Sequence, residues 1–277
     1  MVPSILTPYA SFFQAVVRRP ATTGARVPME RRDIANAFDG APVYYVPVTD
    51  STMNDARRLS EHGAINGTVV FAGSQNLGRG RFADRSWVSE TGTGVLMTVI
   101  LDRELSDLPA PIGAFPLLAG LALSRVLEQD FSFDVAVKWP NDVLVHGKKV
   151  SGILCEATRT SILCGVGVNC NQLGFPGDLR NATSIARELG RPVDPERVIA
   201  RFLVELRVIV TGGRQYPWRR EIERRLAGKD AEVEVTSGLD RTPVKGILRG
   251  VCADGSLELE IAGAKKSFPS AEILLRS

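Results

Sequence analysis

Between residues 42 and 210 the apolar positions switch repeatedly between runs of strand length and stretches of helical period. APVYYVP (42–48) and GTVVFAG (67–73) read as strands. VLMTVIL (95–101) is a continuous apolar run, which suits a fully buried strand. After Asp50-Ser51-Thr52, residues Met53, Ala56 and Leu59 share one helical face. Thr52 and Asp55 have the spacing of a weak capping box, and Gly63 can end the helix. PLLAGLALSRVLE (116–128) is apolar nearly all round and predicts a central helix packed on a sheet. VAVKW (135–139) reads as a short strand, 143–146 and 149–156 as a hairpin turning at His146-Gly147-Lys148, and SILCGVGV (161–168) as another strand. A helical period spans 195–210, and a polar helix is expected at about 217–226.

Near Gly228 the pattern changes. From Ala231 onward short alternating segments follow one another (AEVEV, VKGILRGV, SLELEI, KKSF, EILL), with the hairpin dipeptide Asp254-Gly255 between two of them. This tail reads as a small all-β barrel that leans on the larger part for stability. The organisation expected is an N-terminal extension that need not be ordered (1–41), one large domain (42–228) and a small β domain (229–277).

The 277 residues are 44% hydrophobic and 23% charged, globular proportions that allow a sizeable core. No apolar stretch is long enough to span a membrane. A net charge of +3, from 34 basic and 31 acidic residues, is too balanced to argue for nucleic acid or an anionic membrane as partner. Cys155, Cys164, Cys170 and Cys252 form no C-x-x-C pair, and only His62 and His146 offer imidazole, which argues against structural zinc and for free thiols in a reducing compartment. The first 29 residues contain Arg18, Arg19 and Arg26 but no Asp, Glu or Lys. An organelle transit segment, a disordered tail, and a true start at Met29 all fit that composition.

The chemistry concentrates in the segment from Gln75 to Trp87. Gly78 and Gly80 let a ligand approach the backbone closely. Arg79, Arg81 and Arg85 bring guanidinium forks suited to phosphate oxygens. Gln75 offers a donor and an acceptor, and Trp87 can cover an adenine or an aliphatic chain. The loop is neither a Walker A loop nor a dinucleotide G-x-G-x-x-G, since Ala83 takes the last glycine position. A single Gly-Arg-Gly-Arg between two apolar strands also differs from the many-copy repeats of RNA-binding tails. In Lys138-Trp139-Pro140-Asn141-Asp142, a strand-end ammonium can neutralise an α-phosphate, and Asn141 and Asp142 either position magnesium or cap a turn. Glycines 152, 165 and 167 interrupt apolar strands, either for a ligand's approach or for tight packing.

Taken in order, Asp50-Ser51-Thr52, Gly78-Arg79-Gly80-Arg81 with Trp87, Lys138-Trp139-Pro140-Asn141-Asp142, Ser151-Gly152-Ile153-Leu154, Gly165-Val166-Gly167-Val168-Asn169 and Asn181-Ala182-Thr183-Ser184-Ile185 resemble the biotin protein ligase family over residues 43 to 277. The resemblance implies an α+β fold: a mixed central β-sheet with packed helices, class II synthetase-like, and a small C-terminal SH3-like β-barrel. It implies that ATP, accompanied by Mg²⁺, activates biotin as biotinyl-5′-AMP. The biotin then passes to a lysine of a biotin carboxyl carrier protein or domain. By the same resemblance Ser51, Thr52, Met53 and Gln75 hold biotin, and Gly78, Arg79, Gly80 and Arg81 fold over biotin and the adenylate phosphate. Lys138 touches carboxylate and α-phosphate, Trp87 lies near the nucleotide, and Asn141, Gly152 and Asn169 complete the binding set. Arg276 is similar to a C-terminal arginine of the family.

Two departures stand out. Met53 replaces the asparagine common after Ser-Thr, with Asn54 one step later, and the loop up to Trp87 is one residue longer than usual. The short N-terminal segment shows no pair of helices, so the expectation is a monofunctional, cytoplasmic ligase, monomeric or homodimeric, that does not bind DNA. A lipoate ligase or octanoyltransferase of the same fold is the nearest alternative, and a nucleic-acid-binding regulator the more distant one. The reading requires Arg79, Arg81 and Lys138 to converge on one cavity.

Overall fold

The computed structural model describes residues 29–81, 87, 89–103, 108–179, 181–237 and 242–275. Residues 1–28, Arg85 within 82–86, and Arg276 lie outside that set, so the expectations placed on them rest on sequence alone.

The strands predicted between residues 42 and 168, joined by one that was not predicted (β1), assemble into one eight-stranded sheet. They are β1 (Glu30–Arg32), β2 (Val43–Thr49), β3 (Val69–Gln75), β4 (Gly94–Asp102), β5 (Val135–Lys138), β6 (Asp142–Val145), β7 (Lys148–Ala157) and β8 (Ser161–Asn169). Their spatial order is β1-β2-β3-β4-β8-β7-β6-β5. Only β2 and β3 pair in parallel, because α1 (Thr52–Glu61) crosses between them; the other pairs are antiparallel. His146 and Gly147 both take positive φ, 48° and 77°, as a tight turn between β6 and β7 requires.

Side-chain alternation divides the helices between the two faces. α2 (Phe115–Phe131) packs through Gly120 against Val137, Val143 and Ile153, and α4 (Pro195–Thr211) packs beside it. α1 covers the opposite face, where Val46, Met53, Ala56, Val70, Ile100 and Leu163 form a second, smaller core. Burial on both faces explains the unbroken apolar run of β4.

Residues from 232 onward form β9 (Glu232–Thr236), β10 (Pro243–Val251), β11 (Leu257–Ile261), β12 (Ala264–Phe268) and β13 (Glu272–Leu275), after α5 (Trp218–Glu223). The order is β12-β11-β10-β9-β13, all antiparallel. The expected closed barrel is therefore an open sheet, with β12 and β13 at opposite edges. Its inner face (Val233, Val235, Leu248, Val251, Leu257, Leu259, Ile273) joins the main core directly, so closure is not needed to bury it. The β10–β11 turn seats against the first sheet. Trp139 Nε1 donates to Gly255 O at 2.9 Å, and a Cβ on Gly255 (φ 88°) would fall 2.7 Å from the Ala114 backbone.

Other differences have local causes. The capping box does not form: Ser51 is the N-cap, and the Asp55 carboxylate accepts instead from Thr49 Oγ1 at 2.6 Å. α5 is shorter than its polar pattern suggested. α3 (Ile185–Leu189) and β1 were not predicted, since five residues give no helical period and Glu30-Arg31-Arg32 has no apolar member.

Replacing Trp139 by Phe removes the hydrogen bond to Gly255. The expected cost is about 1 kcal/mol, or about 2–4 °C in Tm for a chain of this size. Thermal unfolding measures it, and an unchanged Tm would mean the bond does not help join the two sheets.

Candidate functional site

Strand register brings the predicted residues to one end of the first sheet. β2 and β3 both end there, with Thr49 opposite Gln75. β4 begins there and β8 ends there, with Gly94 opposite Asn169. Gly152 pairs with Gly167 and with Asp142, and Asp142 pairs with Lys138. Ser51 and Thr52 follow directly from β2. Segments scattered over more than a hundred residues thus meet along one rim.

On the α1 face of that rim Thr52 is a hub. Its backbone N and Oγ1 both donate to Gln75 Oε1, at 2.8 and 3.1 Å, and Oγ1 lies 2.9 Å from Thr98 Oγ1. A hydroxyl has one proton, so Thr98 is the donor of the last bond. The Gln75 carbonyl is therefore occupied and its Nε2 amide remains to donate, half of the dual role expected of it. Ser51 is buried beside this group. Thr98 was missed by sequence reasoning, although it is the one polar residue in the β4 run, and that was its signal. Met53 packs with its sulfur against Gly165 in the smaller core. The helical face it shares with Ala56 buries it, and Asn54 faces the loop.

The neighbouring patch of sheet is bare because Gly152 and Gly167 are cross-strand partners. The Trp87 indole lies on both: a Cβ on Gly152 would come within 2.8 Å of the ring and one on Gly167 within 2.5 Å. The open question about these glycines is answered by an indole, a long-range neighbour that spacing cannot reveal. Trp87 N donates to Gly78 O at 3.1 Å, and a Cβ on Gly78 would sit 2.6 Å from Trp87 O, so the two limbs of the loop touch. Trp87 Nε1 is buried without a hydrogen-bond partner among the described residues.

The cations are distributed differently from the expectation. Lys149, which the sequence reading did not single out, has its Nζ 5.8 Å from the Trp87 ring centroid and 2.7 Å from Asp142 Oδ1. Its backbone is clamped by the Asn181–Thr183 segment, through Lys149 N to Asn181 O (2.7 Å) and Thr183 N to Lys149 O (2.8 Å). Lys138 is half-buried at the end of β5. Arg79 turns toward α1 and β7, bonding Asn54 Oδ1 at 3.0 Å and Glu156 at 3.1 Å. Arg81 turns to the second sheet, donating to Ala271 O and Ser270 Oγ, each at 2.8 Å, and lying 5.8 Å from the Trp139 ring. The convergence of Arg79, Arg81 and Lys138 expected from the sequence is not what the structure shows: the two loop arginines diverge, because each guanidinium has a protein acceptor on its own side. Arg81 still keeps the loop beside Trp139, the residue after Lys138. Gly80 lies between the two arginines. Asn141 Nδ2 donates to Ile153 O (3.0 Å) and Asn169 Nδ2 to Thr183 O (3.0 Å), so both amides brace backbone at the rim.

Two cavities, of about 580 and 540 Å³, lie elsewhere, at Pro109–Pro111 with Arg214–Arg220 and along residues 31–43. They contain none of the predicted residues.

Behind Lys149, Glu188 of α3 accepts from the Thr183 hydroxyl and pairs with His146 Nδ1 (2.8 Å) and Lys148 Nζ (3.9 Å). The Thr183 hydrogen bond above all, with help from His146 and Lys148 and against the opposing effect of burial, holds its carboxyl below the usual glutamate value. A depressed folded-state value contributes stability that is present above the unfolded-state value and lost as pH falls through the folded-state one. Glu188→Gln is thus expected to lower stability at neutral pH, with the deficit shrinking in acid; a pH-independent deficit in urea unfolding would contradict it. Gly167→Ala is expected to displace Trp87 and shift tryptophan emission to longer wavelength, since Trp139 and Trp218 are buried. The same substitution in a Trp87→Phe background should leave the spectrum unmoved.

The biotin/lipoate A/B protein ligase family model matches residues 45–172. The bifunctional ligase/repressor BirA of Bacillus subtilis is 36% identical over 173 residues, 60% of this chain and 52% of that protein. The chain thus spans about half the length of that relative. The biotin--[acetyl-CoA-carboxylase] ligase of Mycobacterium tuberculosis is 30% identical over 253 residues, covering 86% of this chain and 92% of its own. The biotin protein ligase of Aquifex aeolicus, solved in complex with biotin and ATP, superposes with a TM-score of 0.72 at 27% identity, over 84% of this chain and 98% of that one. A family match that takes in the rim residues from Ser51 to Asn169, joined to a relative aligned over nearly its whole length, carries one conclusion: the chain belongs to the biotin/lipoate A/B protein ligase family.

Proposed function

We propose that the chain is an ATP-dependent biotin protein ligase, with one large catalytic domain followed by the small β domain. It would activate biotin as biotinyl-5′-AMP and transfer the biotin to a specific lysine of a biotin carboxyl carrier protein or domain. The observation that carries this reading is the Ser51–Thr52–Gln75–Thr98 cluster beside the Trp87-covered patch. A small polar ring can be held by the Gln75 amide and neighbouring hydroxyls while its apolar chain runs along bare sheet. An octanoyl or lipoyl group has no ureido ring to use those donors, so the cluster favours biotin over the lipoate alternative.

In the first step the biotin carboxylate oxygen attacks the ATP α-phosphorus, a new P–O bond forms, and the bond to pyrophosphate breaks. Lys149, at the same rim, supplies positive charge where carboxylate and α-phosphate meet. Lys138 extends that field from β5, and Arg79, Gly80 and Arg81 set the loop that excludes water. In the second step the carrier's lysine amine attacks the mixed anhydride and AMP leaves. The enzyme acts by positioning and electrostatics, with no covalent intermediate. Among the described residues no group of three or more His, Cys, Asp or Glu lies together. Asp142, the carboxylate at the rim, is held by Lys149. Mg²⁺ therefore fits best as part of the nucleotide substrate, carried mainly by phosphate oxygens.

Biotin-dependent pyrophosphate release from Mg-ATP is the direct test. Lys149→Ala is expected to reduce it by roughly 10²–10³-fold with the fold intact, and octanoate in place of biotin by on the order of 10³-fold or more. Lys138→Ala should also impair the step, and the ratio of the two losses ranks the lysines. Wild-type turnover in both lysine variants, or octanoate turned over as well as biotin, would overturn the proposal. Mass spectrometry of a carrier domain after incubation then reads the biotinyl adduct.

A further inference from the structure

Glu156 has no part in the proposed reaction, yet its carboxylate bridges two arginines. It stands on β7 on the same side as Gly152 and Leu154, the face covered by Trp87 and α1. One oxygen accepts Arg79 Nη1 at 3.1 Å and the other pairs with Arg57 of α1. Asn54, also on α1, takes Arg79 Nη2 at 3.0 Å. Both terminal nitrogens of Arg79 are thus held by elements fixed in the core. Arg79 lies between Gly78 and Gly80, where backbone freedom is greatest, and Gly78 is where the loop's far limb closes through Trp87 N. The pairs tie the loop's Arg79 to α1 and β7, so their first consequence is positional.

We infer that Glu156 is a positioning residue: by holding Arg79 it fixes the adjoining Gly78, whose carbonyl accepts Trp87 N, and so helps seat Trp87 over Gly152 and Gly167. The kinetic consequence rests on the biotin ligase reading; the restraint of the loop does not. Without Glu156, Arg79 and Arg57 face each other as like charges, and a smaller fraction of molecules carries a correctly placed loop. Apparent affinity falls by that fraction, while the step in correctly closed molecules is unchanged.

The experiment compares wild type, Glu156→Gln, Arg79→Ala and the double variant in two assays. Trypsin cleavage after Arg81, followed by mass spectrometry under native conditions, reads loop restraint whatever the substrate. It should accelerate in Glu156→Gln at unchanged Tm, and the double variant should be cut no faster than Arg79→Ala. In biotin-dependent pyrophosphate release, Glu156→Gln should raise KM for biotin about tenfold with kcat within about twofold. Cleavage unchanged from wild type, or additive effects of the two substitutions, overturns the inference. Faster, non-additive cleavage with no biotin-dependent turnover in any variant upholds the restraint and overturns the ligase reading instead. Should Glu156→Gln fold poorly, Asn54→Ala releases the other end of Arg79 without removing a charge, and faster cleavage is expected there too.

Discussion

Two glycines facing each other across β7 and β8 leave a patch of sheet with no side chains on it. Interior glycine weakens a strand by roughly 0.5–1 kcal/mol relative to alanine, and two in register concentrate that cost at one point. The return is a flat surface low enough for an indole to lie on. Once Trp87 is seated there, its backbone meets Gly78 and Lys149 comes to lie beside the ring. With alanine at either position, Trp87 must move and the loop loses its seat. The rim's polar group, the loop and the cation are thus consequences of one packing constraint.

Charge is apportioned around that seat by proximity to acceptors. Three of the rim's cations are spoken for by the protein: Arg79 by Glu156 and Asn54, Arg81 by Ser270 and Ala271, Lys149 by Asp142. A partly desolvated guanidinium without an acceptor is costly, so the loop's two arginines spread to opposite walls. Each wall belongs to a different layer, β7 with α1 on one side and the second sheet on the other. The loop is therefore strapped at both ends of its Gly-Arg-Gly-Arg run.

Much of this was legible locally. Period and run length located β2 to β8, α2 and α4, because each buries a face or a stripe that the sequence must mark. The same logic had already marked Met53 as core, through its shared face with Ala56 and Leu59. Family likeness placed it against a ligand as well, and the structure shows the core side of that pair: its sulfur packs on Gly165. Thr98 was visible as a polar residue in a buried run, but its partner Thr52 lies on another element. Gly152 and Gly167 were visible as anomalies whose occupant, Trp87, is far away in sequence. Lys149 opens the predicted strand 149–156 just after a hairpin turn, with nothing local to mark it, whereas Lys138 at a strand end drew attention. Only the Asn181–Thr183 clamp and the bond to Asp142 distinguish Lys149, and neither is written in local spacing.

The second sheet is where local reading and structure differ most, and the difference bears on the site. A closed barrel would satisfy its own edges and core. An open sheet cannot, and its inner face completes the main core instead. That docking places the Gly255 carbonyl within reach of Trp139 and the Ser270–Ala271 corner within reach of Arg81. Trp139 follows directly on Lys138, and Arg81 belongs to the loop that carries Trp87. The small C-terminal sheet is thus a wall of the candidate site, and its incomplete closure is what ties it there.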